Sequence, residues 1–138
     1  MSTPFPPPPP QIGPFRIVRV LGRGGMGVVY EGVEPGSGQR AAIKTILSHY
    51  ASESSVRKRF EAEIDALVRL NHPNIVRILG SGVTGTGDLF YAMEMVWGMD
   101  LEHAVPRGTS ISWVHAVGIL IEICRGLKAA HDRGIVHR

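Results

Sequence analysis

Two hydrophobic periods divide the chain. From Phe15 to Ile46 the spacing suits strands. Phe15, Ile17, Val18, Val20 and Leu21 include an alternating set with Arg16 and Arg19 between them. The β-rich runs Val28-Val29-Tyr30 and Ala41-Ala42-Ile43-Lys44-Thr45-Ile46 follow, with Gly22–Gly27 and Pro35-Gly36-Ser37-Gly38 as punctuation, so the three runs predict an antiparallel meander. From Ser52 to Leu70 the period becomes helical, with Ser52 as N-cap and Val56, Phe60, Ile64 and Leu67 as the buried stripe. Asn71-His72-Pro73-Asn74 ends that helix. Strands are predicted at Ile75–Leu79 and Leu89–Met93, joined by the Gly/Thr-rich turn 82–87. Trp97-Gly98-Met99 reads as a connector. Ser112–His131 reads as a second long helix, apolar on most sides and therefore central, broken by Gly134.

That order gives an α+β fold: a small lobe of five antiparallel strands and one helix, leading into a helical lobe. With 138 residues, 43% apolar, the chain can bury a core. Pro4 and Pro6–Pro10 set residues 1–12 apart as an extended, disordered leader, with an SH3-like groove as the possible partner of such a tract. Fifteen basic against twelve acidic residues are spread along the chain and point to no nucleic-acid partner. The single cysteine, Cys124, excludes an intrachain disulfide framework and fits a reducing, cytoplasmic setting. The longest apolar stretch, Ala116–Ile121, falls far short of the roughly 20 residues that cross a bilayer. Residues 1–11 lack the basic start and apolar region of a signal peptide. The six histidines include no i, i+4 pair, so no metal site is expected.

Gly22-Arg23-Gly24-Gly25-Met26-Gly27 satisfies G-x-G-x-x-G, a spacing whose missing Cβ atoms let backbone N–H groups approach anionic oxygens. In a dinucleotide-binding fold the last glycine opens a helix. Here Val28-Val29-Tyr30 favours a strand, so the loop is expected to be a hairpin lid over phosphates. No Gly-Lys-Ser/Thr follows, which removes a Walker-type loop. A plain glycine-rich turn is the competing reading.

Lys44 ends an apolar run, and an ammonium on a buried strand must be paired or face a ligand. Glu63 stands three residues after Phe60, seven after Val56 and four before Leu67, on the face expected to meet the sheet. Glu61, Lys58 and Asp65 fall on the solvated side. Glu63 thus reads either as an inward carboxylate compensating Lys44 or as a boundary residue reaching water.

The glycine hairpin, the Ala-Ile-Lys strand, the helix with its glutamate, Asn71-His72-Pro73-Asn74-Ile75-Val76 and Met93-Glu94-Met95-Val96 occur in this order. Together they resemble the N-lobe of a protein kinase, most closely the bacterial Ser/Thr kinases of eukaryotic type, over Phe15–Arg138. The stretch Leu21-Gly22-Arg23-Gly24-Gly25-Met26-Gly27-Val28-Val29-Tyr30 is especially similar. The resemblance implies that residues 13–97 form an ATP-binding N-lobe, with Leu21 among the nucleotide-binding residues and the loop Gly22, Arg23, Gly24, Gly25, Met26 and Gly27 over the phosphates. It implies Val29 and Ala42 against the adenine, and Lys44 on the α- and β-phosphates and paired with Glu63. Met93 matches the gatekeeper, Glu94 and Val96 the hinge positions whose backbone reads the adenine edge, and Asp100 a polar residue near the ribose.

Residues 98–138 then match the hinge exit and the first helices of a C-lobe, and His137-Arg138 the start of the catalytic loop. The family's proton-accepting aspartate and the residues that hold Mg²⁺ come after that pair. The expectation is therefore a catalytically incomplete piece of a kinase that phosphorylates protein Ser/Thr hydroxyls. Leu120, Ile123, Cys124 and Leu127 would then form an exposed apolar patch. The alternative is a non-catalytic nucleotide-binding or interaction module derived from such a lobe.

Overall fold

Six antiparallel strands form one sheet in the order β1-β2-β3-β4-β6-β5. The computed structural model describes residues 7–25, 27–46, 54–105, 108 and 110–136. The strands are β1 (Gln11–Ile12), β2 (Phe15–Gly24), β3 (Gly27–Val33), β4 (Arg40–Ile46), β5 (Ile78–Val83) and β6 (Leu89–Glu94). The helices are α1 (Ser54–Val68), α2 (Leu101–Ala104) and α3 (Trp113–His131). Met26, the N-cap expected at Ser52, and His137-Arg138 lie outside the described residues.

Three expectations need correction. The sheet has six strands rather than five, because Gln11 and Ile12 turn back at Gly13-Pro14 and pair with Arg16 and Phe15. Ile12 is buried, so the sheet begins inside the segment read as a leader, while Pro7–Pro10 stay exposed. Gly13 makes the turn possible: its φ is 55°, and a Cβ there would lie 2.5 Å from the Phe90 ring. β5 also starts three residues later than expected, at Ile78, since His72–Ile75 form a turn closed by Ile75 N–H to the His72 carbonyl at 3.1 Å. Helix α3 runs as expected, with Ser112 as its N-cap, but it is not central: among its described residues only Gly126 and Ala130 are buried.

Alternation across the strands gives the sheet two different faces. Tyr30, Ile43 and Ala92 are direct partners across β3, β4 and β6. They form one core with Ile12, Phe15, Ala41 and Phe90. The intervening residues, Val29, Lys44 and Tyr91, form a row on the other face. Two register shifts, at Val18 and Leu21, bend β2 as it approaches the glycine hairpin.

α1 packs on β5 and buries Ile64, with Phe60 and Leu67 half-buried. Phe60 meets Tyr91 with ring centroids 6.2 Å apart, which puts the helix on the Lys44 face of the sheet. Gly126 brings α3 close to the turn after α1, since a Cβ there would sit 3.1 Å from the Asn74 carbonyl oxygen. Asn74 Nδ2 also donates to Glu122 on α3 at 2.8 Å. Leu120, Ile123 and Leu127 are exposed with Cys124, as expected, and Trp113, Val114 and Val117 extend this apolar surface.

Candidate functional site

The glycine segment is a hairpin whose pairing runs Gly22↔Val29, Arg23↔Val28 and Gly24↔Gly27. It passes from strand to strand, as the β-branched residues after Gly27 require, and does not open a helix. Its two ends differ. Gly22, Gly24 and Gly25 are exposed, and a Cβ on any of them would meet nothing within 4 Å. Gly27 is buried, and its missing side chain leaves room for the Thr45 carbonyl of β4. The loop is thus anchored at Gly27 and open along the edge where a ligand's oxygens could approach backbone N–H groups.

Behind the hairpin, cross-strand register lines up the remaining candidates. Val29, Lys44 and Tyr91 form one row. Glu31, Ala42 and Met93 form the next row of the same face, and Arg19 joins it opposite Glu31. Val29, Ala42, Lys44 and Met93 therefore share one surface, continuous with the open hairpin. Leu21 is half-buried at the register shift beside it. Lys44 is half-buried, and its ammonium makes no hydrogen bond or ion pair with a described residue. A half-buried ammonium on the surface that continues into open backbone N–H groups has the chemistry to receive an anion.

Glu63 lies on the helix that covers this face, but its side chain is exposed. It lines a cavity of about 1040 Å³ together with Ala62, Ala66, Tyr91, Ile123 and Ala130. Because Tyr91 is the register partner of Lys44, Glu63 and Lys44 approach the same face of the sheet. No ion pair joins them in this arrangement. Glu61 and Asp65 are exposed, as their helical positions require.

After β6 the chain leaves the sheet. Glu94 is tied down twice: its N–H donates to the Arg77 carbonyl at 2.9 Å, and its Oε1 accepts from the Arg77 N–H at 2.8 Å. Val96 is exposed, and its N–H and C=O make no hydrogen bond to another backbone group among the described residues. Asp100 is the N-cap of α2, accepting from the His103 N–H at 2.8 Å and approaching His103 Nδ1 at 2.6 Å. The backbone N–H of His103 leads in holding its carboxyl below the usual carboxylate range, with the His103 side chain assisting.

Sequence reasoning missed one group of residues. Glu31, 1% exposed, accepts from Arg19 Nε at 2.7 Å and from Arg40 Nη1. The Arg40 guanidinium also lies over the Trp97 ring, its central carbon 5.7 Å from the centroid. In sequence these four residues are far apart, and only strand register reveals their grouping. Among the described residues no group of three or more His, Cys, Asp or Glu could hold a metal ion. No described helix is long and apolar enough to cross a membrane.

The hairpin running into a strand, the lysine on the strand beyond and the glutamate helix above it define a protein-kinase N-lobe. Residues 15–138 match the family model of the protein kinase domain, and the chain belongs to that family. Serine/threonine-protein kinase Pkn1 of Myxococcus xanthus is 40% identical over 126 residues, covering 91% of this chain and 18% of that protein. Serine/threonine-protein kinase PknA of Mycobacterium tuberculosis is 36% identical over 130 residues, covering 91% of this chain and 30% of that protein. The crystal structure of the Mycobacterium tuberculosis PknI kinase domain superposes with a TM-score of 0.78 at 32% identity, covering 93% of this chain and 52% of that domain. The chain thus spans less than a third of the curated relatives named here and about half of the solved kinase domain.

Proposed function

We propose that the chain is the ATP-binding part of a protein kinase that phosphorylates serine or threonine hydroxyls of a protein substrate. The observation that carries this reading is Lys44: half-buried, without a protein partner among the described residues, and in one row with Val29 beneath an open glycine hairpin. Backbone N–H groups of Gly22–Gly27 cover the phosphates, and Lys44 neutralises charge on the α- and β-phosphates. Leu21, Val29 and Ala42 present apolar surface to the adenine, with Met93 at its rear. The Glu94 carbonyl and the backbone of Val96 meet its polar edge, a role supported by the lack of a backbone partner for Val96 among the described residues. Asp100 sits near the ribose.

Glu63, on the helix over the Lys44 face of the sheet, steadies the ammonium when nucleotide is bound. Bound ATP with Mg²⁺ supplies the transferable phosphoryl group and its counter-charge; the residues of this chain bind and orient. The roles assigned to these 138 residues are nucleotide binding and orientation, and no Asp-Phe-Gly occurs among them.

Calorimetric titration of the chain with Mg·ATP and with adenosine tests this. Saturable binding of both, with phosphate transfer to a general protein substrate absent, is expected. Failure to bind either ligand overturns the nucleotide assignment. Phosphate transfer by the isolated chain overturns the incomplete-enzyme reading.

A further inference from the structure

The segment that leaves β6 and carries the adenine-reading positions has little to hold it. Residues 95–99 make no backbone–backbone hydrogen bond among the described residues, and Val96, Trp97 and Met99 are all exposed. A backbone that must present an N–H and a C=O to a ligand at fixed geometry needs a restraint from somewhere else. The Glu31 group is placed to provide it. Glu31 lies in the row of Ala42 and Met93, on the adenine-facing side of the sheet. Its carboxylate is almost wholly buried, and two strands each send one guanidinium to it. Arg40 is thereby tethered at one edge, and its guanidinium carbon lies over the ring of Trp97, a residue that remains 64% exposed.

We propose that Arg40 is a positioning residue which, tethered by Glu31, clamps Trp97 and so holds residues 95–97 in the geometry that receives the adenine. The proposal rests on the nucleotide reading above and assigns a determinant of its affinity. An ion pair that served only to satisfy Glu31 would not need a planar cation, nor an aromatic ring at position 97. A guanidinium provides both the fork for the carboxylate and the flat face for stacking.

Replacing Trp113 by Phe leaves Trp97 as the sole tryptophan and makes its emission a direct report on the segment. In that background, without nucleotide, Arg40→Ala is expected to lower Trp97 anisotropy and to raise its quenching by acrylamide. Arg40→Lys keeps a cation on Glu31 and serves as the folded comparison if Arg40→Ala unfolds; it is expected to loosen Trp97 as well. Adenosine affinity is expected to fall about two- to fivefold in Arg40→Ala, the range for an exposed cation–π contact. Trp97→Ala should lose a similar factor and Trp97→Phe should restore most of it. The Arg40→Ala/Trp97→Ala double variant should lose no more than the weaker single variant.

Unchanged anisotropy in both Arg40 variants, unchanged adenosine affinity, or strictly additive losses would overturn the clamp. If the wild-type chain binds no adenosine, the nucleotide reading fails and the positioning role with it. In that case the anisotropy still shows whether the Arg40–Trp97 contact exists, which separates the two failures.

Discussion

Gly27 and Thr45 approach so closely that a Cβ on the glycine would sit 1.7 Å from the Thr45 carbonyl oxygen. The obstacle is backbone on a paired strand, so it cannot swing aside as a long side chain could. Gly27→Ala should therefore cost about 1–3 kcal/mol of stability by forcing β3 and β4 apart. Gly24→Ala places its methyl in open space and should change stability by less than about 0.5 kcal/mol. The same substitution should still weaken Mg·ATP binding, because the methyl stands where phosphate oxygens approach. Denaturant unfolding and calorimetry on the two variants check this separation.

Lys44→Met removes a charge that has no protein partner among the described residues, so no described group is left unpaired. Stability should stay within about 0.5 kcal/mol of wild type. Mg·ATP affinity should drop roughly tenfold or more, the size of a lost charge-assisted hydrogen bond. An unfolded variant, or one that binds normally, would show that Lys44 serves the sheet rather than a ligand.

Glu63→Gln and Glu61→Gln change two exposed positions of α1, and neither should shift the unfolding midpoint measurably. In a full-length kinase bearing this sequence, phosphate transfer should fall with Glu63→Gln and hold with Glu61→Gln. The difference follows from position: Glu63 borders the cavity shared with Tyr91, the register partner of Lys44. Steady-state rates for both variants check it, and equal rates would remove Glu63 from the site.

Asp100 gives a pH dependence of defined sign. Its carboxyl is held below the ordinary range chiefly by the His103 N–H, so the cap is fully formed above the ordinary carboxylate pKa and is lost as pH falls through the depressed value. Amide exchange at His103 should therefore rise only below the ordinary carboxylate range. Asp100→Asn retains a capping side chain and should flatten that pH response. Exchange followed by NMR between neutral and acidic pH measures both.

Much of this arrangement was legible in the chain because local signals agreed with one another. Val28-Val29-Tyr30 settled that the glycine loop enters a strand, and the Ala41–Ile46 run located the lysine strand. What escaped depended on contacts distant in sequence. Two residues of β1 are too few to display an alternation. Ile75-Val76-Arg77 has strand composition, yet it forms the approach to β5 because Asn74 and Ile75 pack against Gly126 of α3. Helix α2 left a fainter signal, an aspartate three residues ahead of His103, which Asp100 caps. The Arg19–Glu31–Arg40 group became visible only through cross-strand register, and the exposed Glu63 shows that a helical face is a coarser guide than a side chain's own path.

The two-faced register of β4 has a consequence for how this sequence can change. Ile43 supports the interior while Lys44, its immediate neighbour, faces the opposite side beneath α1, so substitutions at odd and even positions are separately adjustable. Inserting or deleting one residue ahead of Ile43 would exchange those duties at once, sending the ammonium inward and an isoleucine out. Descendants of this chain can drift one letter at a time along the strand, but they cannot slide.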